Sequence, residues 1–76
     1  MQEIKMKDLY LSAFLCAEEM VLKRIERENG ICWFVFEKTN QSDGLVDKFW
    51  SGEAICNVKA FTNAIRTLKD RIFSER

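Results

Sequence analysis

The sequence of 76 residues contains no histidine and no proline, and its 12 basic residues balance its 12 acidic residues, so its formal net charge is zero. Without histidine, the chain lacks the mixed cysteine–histidine ligand sets of many zinc sites and the imidazole base that activates serine and cysteine nucleophiles. It also lacks a glycine-rich phosphate loop and a serine-centred nucleophile elbow. We therefore expect no enzyme, no bound metal and no cofactor. Neutrality further argues against a strong nonspecific hold on nucleic acid, which needs several unopposed phosphate contacts.

Long apolar segments are also absent. The most apolar window, residues 9–17, is about half the length that a helix needs to cross a bilayer. The first residues lack the basic start and the apolar run of a signal peptide. The three cysteines are widely spaced, without a Cys-x-x-Cys pair, which favours buried and reduced thiols at Cys16, Cys32 and Cys56. These features predict a cytoplasmic protein without membrane association.

Apolar residues nevertheless make up 47% of the chain, which predicts one folded domain over residues 1–76 and not a disordered chain. A first helix is indicated over residues 8–20, with Asp8 as its N-cap. This helix is apolar around most of its circumference. If one stripe faces the core, the other apolar side chains cannot all reach it, and we expect a surplus at Tyr10, Leu11 and Leu15. The alternative is a helix enclosed between a sheet and the last helix.

Two further helices follow. The second is predicted over residues 43–51, with Ser42 as a candidate N-cap and Gly52 ending it in the left-handed conformation. Its apolar residues fall on one side, at Leu45, Val46, Phe49 and Trp50. The third is predicted from the cap residue Asn57 to Phe73, because apolar residues recur there at steps of three and four.

The strongest local signal is Asn29-Gly30, which lies between two segments rich in β-formers. Asn-Gly favours the type I′ turn of a two-residue hairpin, because that turn needs positive φ at both central residues. This turn pairs Glu28 with Ile31 and places Ile25 opposite Phe34, on the face that covers the helices. The other face mixes charged with apolar side chains: Arg24, Glu26, Glu28, Ile31, Trp33 and Val35.

Short strands are also predicted at residues 3–6 and 53–56. Together, these elements indicate an α+β fold, with helices and strands segregated into separate layers. The expected architecture is a small antiparallel sheet of two to four strands, built on the Asn-Gly hairpin, with three helices packed on one face.

The order of these segments matches a recognisable pattern. It consists of Asp8-Leu9-Tyr10-Leu11-x-Ala13-Phe14-Leu15, Phe34-x-Phe36, Phe49-x-x-Gly52-Glu53 and Phe61-x-x-Ala64-x-Arg66-x-Leu68-Lys69. This pattern resembles a family of very small bacterial and phage proteins known only as a domain of unknown function, and it covers nearly the whole chain. The resemblance implies a compact α+β domain from a bacterial or mobile-element genome. It implies no activity.

Three surfaces are candidates for interaction. Trp33 beside Arg24 could stack on a base or pack against a partner, or it could pack on cross-strand neighbours. The surplus on the first helix could be buried by a second copy. Arg66 and Lys69 give the last helix a basic face, which could bind phosphate or simply complement the helix dipole.

We therefore expect a protein that acts by binding another protein or by forming a homodimer. The alternative is a nucleic-acid-binding accessory protein of a phage or mobile element. The candidate interaction residues are Tyr10, Leu11, Leu15, Arg24, Trp33, Arg66 and Lys69.

Overall fold

The computed structural model describes residues 2–74. In chain order the elements are β1 (Glu3–Met6), α1 (Leu9–Ala17), β2 (Leu22–Glu28), β3 (Ile31–Glu37), α2 (Ser42–Ser51) and α3 (Val58–Ser74). The strands form one antiparallel sheet in the order β1-β3-β2. The predicted α+β fold is confirmed, and residues 3–6 form the expected strand.

The hairpin between β2 and β3 turns at Asn29 and Gly30, whose φ angles are 52° and 81°. Positive φ at both residues agrees with the turn that Asn-Gly favours. The register is the predicted one, with Glu28 opposite Ile31 and Ile25 opposite Phe34. The register shifts by one residue near the start of β2, where a bulge lies between Leu22 and Arg24.

The core lies between one face of the sheet and the helices. On this inner face, Ile4 of β1 is paired with Phe36 and Met6 with Phe34, and both phenylalanines are fully buried. They join side chains of α1 and α3 in one apolar cluster, whose buried members are Met6, Leu11, Ala13, Phe14, Leu15, Phe34, Phe36 and Leu68. The helices therefore cover a single face of the sheet.

Helix α1 begins as predicted but ends earlier. Asp8 Oδ1 accepts a hydrogen bond of 2.8 Å from the amide of Leu11, which confirms its N-cap role. The expected end at Met20 is wrong, because Glu19 adopts a left-handed conformation with φ of 66°. The Met20 amide then donates to the carbonyl of Leu15 at 3.0 Å, which is the long hydrogen bond of a Schellman motif.

The expected surplus on α1 is largely wrong. Leu15 is fully buried and Leu11 is 3% exposed, whereas Tyr10 is 55% exposed. Helix α1 packs against α2 and α3 as well as against the sheet, so three sides of it are covered. The alternative of an enclosed helix therefore describes α1, and only the side of Tyr10 remains open.

Two local predictions between β3 and α3 are also wrong. Ser42 does not cap α2 but lies in its first turn, fully buried, and its hydroxyl donates to the carbonyl of Thr39 at 2.8 Å. The predicted strand at residues 53–56 is absent, because this segment has no partner in the sheet and Ala54 and Cys56 pack against the core cluster instead. The predicted end of α2 at Gly52 is confirmed, since this residue is left-handed with φ of 81°. The predicted N-cap of α3 at Asn57 is also confirmed, because its Oδ1 accepts from the Ala60 amide at 2.9 Å.

Candidate protein-binding groove

The outer face of the sheet carries a network of four charged side chains. Arg24 on β2 donates two hydrogen bonds to Glu3 on β1, at 2.9 and 2.8 Å, and a third to Glu26 at 2.7 Å. Lys5 on β1 lies 2.8 Å from the other oxygen of Glu26. These side chains cross over β3, where Val35 lies between Lys5 and Arg24 in the register and is fully buried. The network thus covers an apolar residue that the helices do not reach.

The network shifts the pKa values of its members. The hydrogen bond from Arg24 lowers the pKa of Glu3, and those from Lys5 and Arg24 lower the pKa of Glu26. In return, the hydrogen bond to Glu26 raises the pKa of Lys5, and the two carboxylates raise that of Arg24. Arg24, expected on an interaction surface beside Trp33, is therefore held by carboxylates of its own chain. Sequence reasoning had placed Arg24 and Glu26 on one face but had not anticipated Glu3 and Lys5 beside them.

Strand β1 is an open edge of the sheet. Within residues 2–74, no strand pairs with β1 on the side away from β3. The carbonyl of Gln2 accepts from the Lys38 amide at 2.9 Å, so this pair belongs to the hydrogen-bonded positions of the ladder. Such positions alternate along an antiparallel pair, and the peptide groups of Glu3 and Lys5 consequently point away from β3. The edge offers two donors and two acceptors to an added strand.

The charged side chains of β1 do not shield this edge. Glu3 and Lys5 reach across β3 to their partners Arg24 and Glu26 on β2, and so lie over the outer face of the sheet. Edge strands are often protected by charged side chains that project beyond them. In this chain both charged side chains of β1 lie over the outer face, so they do not project beyond the edge.

A groove of about 800 Å³ runs between β1 and α2. Its apolar lining comes from β1, from the start of α1 and from α2, at Ile4, Met6, Leu11 and Val46. Both tryptophans of the chain line it, with Trp33 half-buried and Trp50 63% exposed. Charged residues complete the lining, with Lys5 and Lys7 beside the strand, Asp8 at the start of α1, and Asp43 and Asp47 on α2. The groove is thus apolar inside, with lysines beside β1 and two carboxylates on α2.

Helix α2 contributes to the groove through positions spaced by three and four residues. Asp43, Val46, Asp47 and Trp50 share one face of the helix, because this spacing returns to the same side of each turn. Phe49 points elsewhere and packs its ring 6.2 Å from that of Phe14, so it anchors α2 to the core. Phe49 also meets Trp50 edge to face, with ring centroids 5.1 Å apart, which supports the exposed indole.

The structure does not bring the seven sequence-predicted interaction residues together. Trp33 and Leu11 line the groove, although Leu11 is only 3% exposed. Leu15 is inside the core, and Tyr10 is exposed on α1. Arg24 lies in the outer-face network, and exposed positions on α3 hold Arg66 and Lys69.

Sequence reasoning missed the contributions of Ile4 and Trp50 to the groove. The four-residue spacing of Val46 and Trp50 indicates that both lie on one side of α2. Nothing local indicated that this side would face an unpaired strand.

A second apolar surface lies on the opposite side of α2. Ile55 and Val58 are 86% and 76% exposed, and they border a shallow depression lined by Phe14, Phe49 and Phe61. Over the residues that the structure describes, the lining of this depression includes no charged side chain. It offers apolar contact but no unpaired strand. A bound chain would therefore find no main-chain hydrogen bonds there to set its direction, unlike in the groove.

The three cysteines are free thiols. They are half-buried, whereas the sequence predicted buried thiols. Burial raises the pKa of Cys16, which lies between α1 and α3. Among residues 2–74, no cluster of three or more histidine, cysteine or acidic side chains is arranged to hold a metal ion. No helix in this part of the chain has the length and apolar character required to span a membrane.

The fold and the groove define a small α+β domain with an open sheet edge. Residues 1–74 match the family model described as a domain of unknown function, DUF5659, and the chain belongs to this family. No curated protein and no solved structure matches it. The expected membership in a family of unknown function is confirmed.

Proposed function

We propose that the protein is a binding domain that takes an extended segment of a polypeptide along β1. The observation that carries this proposal is the juxtaposition of an unpaired strand edge and an apolar groove lined by both tryptophans. Addition of a strand to such an edge supplies main-chain hydrogen bonds, while adjacent pockets select alternate side chains. Tryptophan is also enriched among the residues that dominate binding energy at protein interfaces.

The groove indicates the kind of segment that fits. Peptide groups of Glu3 and Lys5 would pair with the added strand, and alternate side chains of that strand would enter the groove toward Met6 and Val46. The exposed carboxylates of Asp43 and Asp47 favour a basic side chain on the α2 side. An extended segment with alternating apolar residues and few prolines meets these requirements.

Binding of displayed peptides tests the proposal. A library of random ten-residue peptides is selected against the full chain, and the affinity of selected peptides is measured for two variants. Trp50→Ala removes an exposed groove side chain and should weaken binding about tenfold or more. Val58→Ala, the matched control, removes a side chain that is 76% exposed but outside the groove, and should leave affinity unchanged.

A backbone variant separates strand addition from simple apolar contact. Lys5→Pro removes an amide that points away from β3, whereas Lys5→Gln removes the same ion pair but keeps the amide. Only the proline variant should abolish peptide binding. Equal affinities for Lys5→Pro, Lys5→Gln and the unmodified chain, or equal losses in Trp50→Ala and Val58→Ala, would contradict the proposed site.

Nucleic-acid binding, the alternative function, has weaker support. Its only support is the pair of exposed basic residues Arg66 and Lys69 on α3. The groove tryptophans do not add support, because they lie beside carboxylates. Glu26 faces Trp33 across the hairpin, and Asp47 shares the groove face of α2 with Trp50. These groups repel phosphate. We expect no gel shift of single- or double-stranded oligonucleotides at tens of micromolar protein, and a shift that weakens with added salt would favour this alternative.

A further inference from the structure

We propose that the segment bound along β1 is the β1 strand of a second copy of this chain, in antiparallel register with Glu3 opposite Lys5. This inference rests on the proposed function and names its partner. Two three-stranded sheets would then join into one sheet of six strands, with the two β1 strands at its centre. The observation behind the proposal is that the charges along β1 complement themselves in one register.

Geometry first limits the registers. Only Glu3 and Lys5 of β1 direct their peptide groups away from β3, so these two positions must face the same positions in the second copy. Residues that lie directly opposite each other have side chains on the same face of a sheet. The outer face of one sheet therefore continues into the outer face of the other. The helices of both copies lie on the same side of the joined sheet.

Charge then selects among the remaining registers. Glu3 opposite Glu3, or Lys5 opposite Lys5, places like charges at a directly opposed pair, which is destabilising. Glu3 opposite Lys5 places unlike charges at opposed positions, and the two-fold axis repeats this arrangement. The opposed charges add to the network in which Arg24 holds Glu3 and Glu26 holds Lys5, so both pairs are favourable. Each of the two pairs also exchanges two main-chain hydrogen bonds.

The same register joins apolar surface on the inner face. The two-fold axis passes through Ile4, which meets its own copy at a position where opposed side chains approach most closely. Ile4 is half-buried and lines the groove in the single chain. Its copy would enter the groove beside it, near Met6 and the exposed indole of Trp50. An isologous contact of this kind closes on itself and gives a dimer, not a filament.

Charge reversal in each variant alone tests whether Glu3 faces Lys5, and mixing the two variants tests whether the effect arises between chains. Glu3→Lys alone places two ammonium groups opposite each other at both charged pairs, and Lys5→Glu alone places two carboxylates together at both. Each variant should therefore dimerise about tenfold or more weakly than the unmodified chain. An equimolar mixture of the two variants should recover association.

In a mixed dimer, position 3 of one chain faces position 5 of the other. The Glu3→Lys chain therefore sets its substituted lysine against the substituted glutamate of the Lys5→Glu chain, and its native Lys5 against the native Glu3 of its partner. Both pairs then carry unlike charges, and the mixture should form a heterodimer. Sedimentation equilibrium over micromolar concentrations, with one variant labelled, measures the association of each variant alone and of the mixture.

The mixture removes the ambiguity that each variant also disturbs the network of Arg24 and Glu26. That internal disturbance persists on mixing, so recovered association comes from contacts between chains. Glu18→Lys and Lys59→Glu are matched controls, with the same charge changes at exposed positions outside the sheet, and should dimerise like the unmodified chain. Ile4→Cys provides a second readout, because oxidation should cross-link the dimer through position 4 and leave the unmodified chain uncross-linked.

The outcomes distinguish this inference from the proposed function. A monomer at all concentrations, or a dimer that neither cross-links through position 4 nor recovers on mixing, overturns the second-copy inference. If that monomer still binds displayed peptides with the losses expected for Trp50→Ala and Lys5→Pro, the proposed function stands with a different partner. If peptide binding also fails, both are overturned.

Discussion

Leu15→Ala measures how completely α1 is enclosed. Leu15 has no solvent exposure, and it packs in the core cluster with Phe14, Phe34, Phe36 and Leu68. Truncation of a buried leucine removes its transfer energy and leaves a cavity, at a typical loss of about 2–5 kcal/mol. A chain of this length has a free energy of unfolding of roughly 4–11 kcal/mol. The substitution should therefore remove a large part of the stability.

Urea and thermal denaturation, followed by far-UV circular dichroism, provide the assay. A loss of about 3 kcal/mol should lower the melting temperature by roughly 12–24 °C, with the urea m-value unchanged. Tyr10→Ala on the same helix is the control, because Tyr10 is 55% exposed and should cost less than about 1 kcal/mol. If the two variants were equally stable, Leu15 would not be a core residue, and the enclosed arrangement of α1 would be wrong. A change in association at unaltered stability would return Leu15 to an interaction surface.

Three further predictions concern backbone conformation and charge. Glu19→Gly should stabilise the chain by about 0.5–1 kcal/mol in urea denaturation, because glycine adopts the left-handed conformation at the end of α1 without a Cβ penalty. Gly52→Ala should destabilise it by about 1 kcal/mol, since φ is 81° there and a Cβ would meet open space, so that the cost comes from the backbone alone. Stability should fall as the pH drops below 4.5, the ordinary pKa of glutamate, because the folded chain lowers the pKa of Glu3 and Glu26 and the unfolded chain takes up their protons first.

Each of these has its own control. Glu19→Ala separates the conformational effect of glycine from the loss of the carboxylate, and equal stability of the two variants would contradict the first prediction. A Gly52→Ala variant as stable as the unmodified chain would mean that α2 does not end in a left-handed residue. For the pH dependence, Glu3→Gln with Glu26→Gln should flatten the stability profile below about pH 5. An unchanged profile in that double variant would place the acid-sensitive groups elsewhere.

The features that could be predicted from the sequence depend on neighbours within a few positions. Asn29-Gly30 accounts for the turn and thereby for the register from Glu28 to Arg24, because a two-residue turn leaves one pairing; the bulge beyond Arg24 was not predicted. Asp8 and Asn57 begin their helices through hydrogen bonds that span three residues. Gly52 ends α2 for an equally local reason, the ease with which glycine adopts positive φ.

Only the tertiary structure decided which surfaces are open. Periodicity shows that α1 is apolar on several sides, but whether Leu15 is buried depends on α3, which is more than forty residues away in the chain. Residues 53–56 have the composition of a strand, yet no strand of the sheet lies beside them. The same holds for the groove, since Ile4 and Trp50 line one groove only because α2 folds back beside the free edge of β1. Local sequence determines turns and caps through short-range hydrogen bonds, whereas exposure is a property of the assembled chain.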